Sequence, residues 1–319
     1  MGELNLSADV LAKSAIKIRK QLLAMVVIGL QNTTQHMTVR PGIRYKEVVG
    51  ELSGGIEVGP YSESRIDQSG VKATPRELET FFGSVVKEFS PNSVYQSIWG
   101  SSITKGEGLK STEVTNLVLA YLMKQMSKSF NKCVWNAVRN ASGSKTVDLF
   151  NGFDTIAQTE ITAGNLTKDL NNLFSFTEEV NATNAVDMLK TFYRTASDEL
   201  QGEKTKLFIP KFIYNAYVDD YQATVGSVPY NKEFNKTFLE GSDDMCELVA
   251  LSSKKGSNFI QLSTKENMLV GVDQESDLEK ITVEKHAAFV LQFIATLFFG
   301  CQYESISPER LLVGKLFTA

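Results

Sequence analysis

One long amphipathic stripe constrains this 319-residue chain more than any other feature. Val114, Leu117, Val118, Tyr121, Leu122, Met126, Phe130, Cys133, Val134, Ala137 and Val138 recur at helical spacing. Ser111 or Thr112 can cap the start, where Glu113 meets the positive end of the helix, and Gly143 stops it. The pattern predicts one helix over 112–140, and roughly 28 residues at about 1.5 Å each make a rod of about 42 Å. Such a rod crosses a whole domain, so the remaining elements must be arranged around it.

The segment before the rod has the opposite character. Between 37 and 75, apolar and polar residues alternate in short runs such as Ile43-Arg44-Tyr45-Lys46-Glu47-Val48 and Ile56-Glu57-Val58. Gly42, Gly50, Gly54, Gly55, Gly59 and Gly70, with Pro41 and Pro60, supply the turns. About forty residues of this kind bury little surface alone, so the segment is a functional excursion or a hairpin completed by a partner. Ahead of it, residues 8–31 read as a helix with Lys13, Lys17, Arg19 and Lys20.

After the rod the texture is mixed α/β. A short helix is expected at Thr167–Phe174 and a longer one at Thr183–Leu200. Lys206–Ile209 reads as a strand, and Pro210 opens a helix carrying Ile213, Tyr217 and Tyr221. Strands are expected at Glu247–Leu251, Asn258–Leu262, Leu269–Val272, Lys280–Val283 and Ala287–Phe299. Gly300 is expected to turn or bulge before a last run, Cys301–Ile306. At about 150 residues per domain the length suggests two domains.

Chemistry is scarce. The sequence holds two histidines, His36 and His286, and three cysteines, Cys133, Cys246 and Cys301, with no CxxC pair. Buried reduced thiols in a reducing compartment are the expectation. Lys105-Gly106-Glu107-Gly108-Leu109-Lys110-Ser111 lacks the spacing of a phosphate-binding loop. The acids Asp273, Glu275, Asp277 and Glu279 lack the glycine and terminal glutamate of a calcium loop, and Asp243-Asp244 stands alone. There is no GxSxG elbow. No catalytic residue, cofactor or metal site is expected. With 33 Lys and Arg against 37 Asp and Glu, net −4, the chain lacks the basic surplus of a nucleic-acid binder. The apolar runs Leu22–Leu30 and Ala287–Phe299 fall short of the about 20 residues of a membrane span, so no membrane partner is expected.

The order of elements resembles that of tailed-bacteriophage major capsid proteins with the Hong Kong 97-type fold, with a texture like those of Bacteroides-type phages or prophages. The resemblance covers nearly the whole chain. It is carried by Lys132-Cys133-Val134-Trp135-Asn136-Ala137, Asp148-Leu149-Phe150-Asn151-Gly152-Phe153, the Ala185–Leu200 helix, Leu207-Phe208-Ile209-Pro210, Glu266-Asn267-Met268-Leu269-Val270-Gly271 and the closing Phe293–Val313 strands.

The resemblance implies an α+β fold in five parts. These are an N-terminal arm (1–36), an extended β-hairpin loop (37–75), a peripheral domain (76–144) with its spine helix (112–140), an axial domain (145–255), and C-terminal strands (256–319) returning to the core. It implies a subunit that assembles with itself through pentamers and hexamers into an icosahedral head around double-stranded DNA. The DNA would be enclosed without sequence-specific binding, with a portal and a separate scaffolding protein as partners. The location would be the virion capsid, assembled in the host cytoplasm. Arg40, Arg44, Lys46, Glu47, Glu57, Glu63 and Arg65 would then be intersubunit charges, giving register more than affinity. Three other readings compete: an encapsulin-like cargo shell, a tail component, and an intracellular α/β enzyme using His286 and the 273–279 acids.

Overall fold

The computed structural model describes residues 32–54, 60–62, 72–89, 111–225, 238–273, 281–287 and 290–317. The expected helix at 8–31 and the acids beyond Asp273 in the 273–279 group lie outside them, as do Glu57, Glu63 and Arg65.

Strands β1 (Thr38–Arg40), β2 (Lys46–Ser53), β3 (Lys72–Glu79) and β4 (Phe81–Phe89) lead to helix α1 (Ser111–Cys133). Helix α2 (Phe153–Thr162), strand β5 (Leu173–Ser175), helices α3 (Ala185–Arg194) and α4 (Asp198–Gly202), strand β6 (Thr205–Pro210) and helix α5 (Lys211–Val225) follow. The chain continues through β7 (Cys246–Leu251), β8 (Phe259–Ser263), β9 (Met268–Val272), β10 (Ile281–Ala287), β11 (Val290–Tyr303) and β12 (Leu311–Lys315). One sheet has the order β1-β9-β11-β10 with β4 also on β11, a second the order β5-β12-β8-β6-β7, and β2 pairs with β3 in a separate hairpin.

The period-2 alternation of strands explains the layering. In the second sheet, Leu207, Leu248, Ile260 and Leu312 face α3 and α5, joining Leu189, Phe192, Ile213 and Tyr217. From the same strands Phe208, Val249, Phe259 and Val313 point the other way, into a core with Trp135, Phe150, Phe153 and the inner face of the first sheet. Both faces of this sheet are therefore covered, which is why its strands read as near-continuous apolar runs. In the first sheet, β4 turns Phe81, Val85 and Phe89 toward that core, while Phe82 and Val86 stand exposed on the other face.

Four expectations need correction. Helix α1 ends at Cys133, not Asn140. The carbonyls of Val134, Trp135 and Ala137 accept from the N–H groups of Phe153 (3.0 Å), Asp154 (2.9 Å) and Gly152 (2.9 Å) instead of continuing the helix. Val134, Trp135 and Ala137 are buried as an inserted loop, which sequence spacing cannot tell from a helical stripe. The approach is so close that a Cβ on Gly152 would lie 2.3 Å from the Trp135 carbonyl oxygen.

Residues 167–174 form turns leading into β5, not a helix. Buried Asn172 accepts from Thr167 N–H (2.9 Å) and donates to the carbonyls of Asn165 (2.9 Å) and Ile306 (3.0 Å), which fixes the non-helical path. The expected helix at 183–200 is broken into α3 and α4, because Ser197 caps the second piece by accepting from Leu200 N–H at 3.2 Å.

Gly300 is neither turn nor bulge. β11 runs straight through it, pairing Gly300 with Gly271, and a Cβ there would lie 2.0 Å from the Glu79 carbonyl oxygen. The glycine serves the crossing of another strand. Within the 37–75 segment, Thr38–Arg40 pairs in parallel with Leu269–Gly271 in the first sheet, and Lys46–Ser53 pairs with Lys72–Glu79.

Candidate functional site

The hairpin β2–β3 forms a two-stranded sheet of its own, and its two faces differ. Lys46 pairs with Glu79 and the register continues to Ser53 with Lys72. Alternation turns Glu47, Val49, Glu51, Arg76 and Leu78 inward, while Lys46, Val48, Pro75, Glu77 and Glu79 stand exposed. Val49 and Leu78 join Ile43 and Leu269 in a small buried cluster. At about 1.5–3 kcal/mol for each fully buried aliphatic side chain, that cluster holds the root of the hairpin to its own chain.

Four of the expected intersubunit charges lie within the described residues, and all four have partners in the same chain. Arg40 lies 3.5 Å from Glu47 and 3.6 Å from Glu304. Arg44 lies 3.5 Å from Asp273. Lys46 lies 2.8 Å from Glu77 and 3.9 Å from Glu79, whose carboxylates hold its ammonium above the usual lysine range. In each of these pairs the cation is well exposed, so water screens the attraction and the pairs hold the chain only weakly.

An apolar strip continues from the hairpin root. Tyr45 is 69% exposed and Val48 71%. The Tyr45 ring packs edge-on against Phe298 at 5.5 Å, and Phe298 meets Phe82 at 4.9 Å. Phe82 and Val86 extend the strip along the outer face of the first sheet. Phe298 itself is buried, and the exposed apolar side chains grouped around it mark a surface suited to contact with a protein, a membrane or a ligand. On the other side of β4, a groove of about 800 Å³ lies between that strand, α1 and the 139–149 loop, with Lys87, Arg139 and Lys145 among its lining residues.

The groups considered for catalysis are dispersed. His286 lies 3.4 Å from Glu88, both more than half exposed. His36 sits between Glu247 (3.8 Å) and Lys206 (3.4 Å), and burial, followed by the Lys206 charge, lowers its pKa. Among the described residues no group of three His, Cys, Asp or Glu side chains could hold a metal ion. No helix among them is long and apolar enough to cross a membrane. Cys133, Cys246 and Cys301 are free thiols, and burial pushes Cys246 up to about 12.

Sequence reasoning missed two polar groupings. Arg76 contacts Glu160, Gln302 and the Tyr303 carbonyl, up to 227 positions away, so no local pattern marks it. Lys254, wholly buried, donates to Asp154 (2.9 Å) and Gln261 (2.6 Å) and lies over the Trp135 ring at 3.9 Å.

No protein-family model and no curated protein matches the sequence. Solved structures do match. A chain of the satellite phage P4 procapsid superposes with a TM-score of 0.61 at 9% identity, covering 93% of this chain and 91% of that one. A chain from the capsid of an empty GTA particle gives 0.55 at 10% identity, covering 91% and 90%. A chain of the Cyanophage A-1(L) capsid gives 0.52 at 12% identity, covering 91% and 92%. At such identities the likeness is one of fold: this chain has the mixed α+β fold of phage capsid proteins.

Proposed function

We propose that the protein is a shell subunit of a phage capsid. The observation that carries this reading is the fold shared with phage capsid chains over nine-tenths of both partners. The hairpin supports it, since its exposed face and the adjoining apolar strip offer more contact surface than a solitary chain needs.

In this reading copies of the chain form pentamers and hexamers that close into an icosahedral head. The finer Hong Kong 97-type assignment belongs to the same proposal. It makes α1 the spine of a peripheral domain, residues 145–255 the axial domain, and β2–β3 the root of the extended loop over a neighbour. The groove beside β4, where Asp148 stands among Lys87, Arg139 and Lys145, is a surface that a second copy could meet. The role is structural and not catalytic. The net charge of −4 suits a container that encloses DNA without gripping it. A portal and a separate scaffolding protein would complete the head, assembled in the host cytoplasm and located in the virion.

Negative-stain microscopy and sedimentation of the purified protein test this directly. Rings of five or six, or closed shells, are expected. A persistent monomer with the hairpin intact would overturn the reading.

A further inference from the structure

On either side of the Gly50–Pro75 pair the strands carry inward-facing charges of opposite sign, Glu51 on β2 and Arg76 on β3. Arg76 is the better seated. Its guanidinium donates to Glu160 Oε1 at 2.6 Å, to Gln302 Oε1 at 3.1 Å and to the Tyr303 carbonyl at 3.2 Å. The side chains of Arg76 and Glu160 are only 12% and 16% exposed, so water screens this pair little. Asn165 donates to the other Glu160 oxygen at 2.7 Å and so orients the carboxylate. Gln302 also donates to the Glu77 carbonyl at 3.0 Å, tying β3 to β11 a second time.

Glu51 forms the lighter strut. It lies 3.6 Å from Arg310 and accepts from Ser307 at 3.3 Å, while Arg310 is shared with Glu203 at 3.5 Å. Between the two struts sits the Gly50–Pro75 pair. Gly50 has φ +153°, and a Cβ there would lie 2.5 Å from the Thr74 carbonyl oxygen. Pro75 has no N–H to give. The ladder is thus pinched between a strong clamp on the body side and a weaker one beyond it.

We infer that Arg76 is the positioning residue of the hairpin: it fixes in cis, before any second copy is present, the direction in which β2–β3 projects. The face that meets a neighbour is then always Lys46, Val48, Glu77 and Glu79. Its consequence for assembly rests on the shell-subunit reading; the clamp itself does not.

Amide hydrogen exchange on the full-length chain tests the clamp. Arg76→Ala should speed exchange in β2 and β3 by about tenfold or more, as expected for losing charge-assisted hydrogen bonds, and leave β6, β8 and β12 unchanged. Glu160→Gln should act in the same direction more mildly. The double variant should be no worse than Arg76→Ala, because the two side chains form one unit. Arg76→Lys, which keeps charge but loses the forked geometry, should recover only part of the protection. If Arg76→Ala loosens the whole chain, Glu160→Gln decides alone. Unchanged hairpin exchange in Glu160→Gln, or in both single variants, overturns the inference. A wild-type chain that stays monomeric sinks the shell-subunit reading, while the exchange comparison still decides the clamp.

Discussion

The ammonium of Lys254 lies 2.9 Å from a carboxylate oxygen of Asp154, with no solvent exposure of the lysine and only 7% of the aspartate. Gln261 bridges them, accepting from Lys254 at 2.6 Å and donating to the same Asp154 oxygen at 2.7 Å. The other Asp154 oxygen has no hydrogen-bond partner among the described residues. This pair joins α2 to the segment after β7 and lies against Trp135, where the chain leaves α1.

Breaking the pair should cost more than removing it. Lys254→Met leaves a buried carboxylate uncompensated and should destabilise by about 3–5 kcal/mol. Adding Asp154→Asn should recover more than half of that loss. Urea unfolding of the two single variants and the double variant measures this as a coupling energy. Additive losses would show that the pair does not act as a unit.

The same lysine predicts a pH dependence. Burial is the main cause that brings its pKa from 10.5 down to about 8, with Asp154 working against the shift. Between about pH 8 and 10.5 the unfolded chain holds the proton and the native chain has shed it, so this group's contribution to stability rises with pH. Cys246, held up near 12 by burial, acts in the opposite direction above pH 9. The difference between wild type and the Lys254→Met/Asp154→Asn variant isolates the lysine. Urea midpoints should move in favour of wild type from pH 8 upward, and parallel curves would rule the linkage out.

Gly300→Ala should destabilise by about 3 kcal/mol or more, since the new Cβ meets a backbone carbonyl that cannot rotate away. Gly202→Ala is the control: nothing lies within 4 Å of its added Cβ at the end of α4, so no loss and a gain of up to about 1 kcal/mol are expected. Thermal unfolding of both variants checks the contrast.

Thiol reactivity should separate the cysteines. Burial raises the pKa of all three, but Cys246 and Cys301 are buried whereas Cys133 is half-buried. At pH 8 an exposed-thiol reagent should modify at most Cys133 in the native protein, and all three cysteines after unfolding. Rapid native modification of Cys301 would contradict the packing of β11.

Elements with a strong local period were legible from sequence alone. The strand at 206–209 and the helix after Pro210 stand within a residue or two of their expected places, because apolar alternation and proline chemistry act over a few positions. Failures arose where a distant partner overrides the local pattern. Val134 and Ala137 keep helical spacing but bond to 152–154, and Gly300 answers to a strand more than two hundred residues earlier. The charged hairpin residues were recognised by type. Their pairing with Glu77, Asp273 and Glu304 depends on register and packing, which composition does not encode.

The strand order carries a consequence for synthesis. β12 lies inside the second sheet and β11 inside the first, yet both are made after residue 289. On the ribosome, β4 and β5 emerge long before the strands they pair with. The chain therefore gains its rigid form late, when translation has passed both central strands. A nascent chain exposes unpaired strand edges until then and is open to capture by a chaperone.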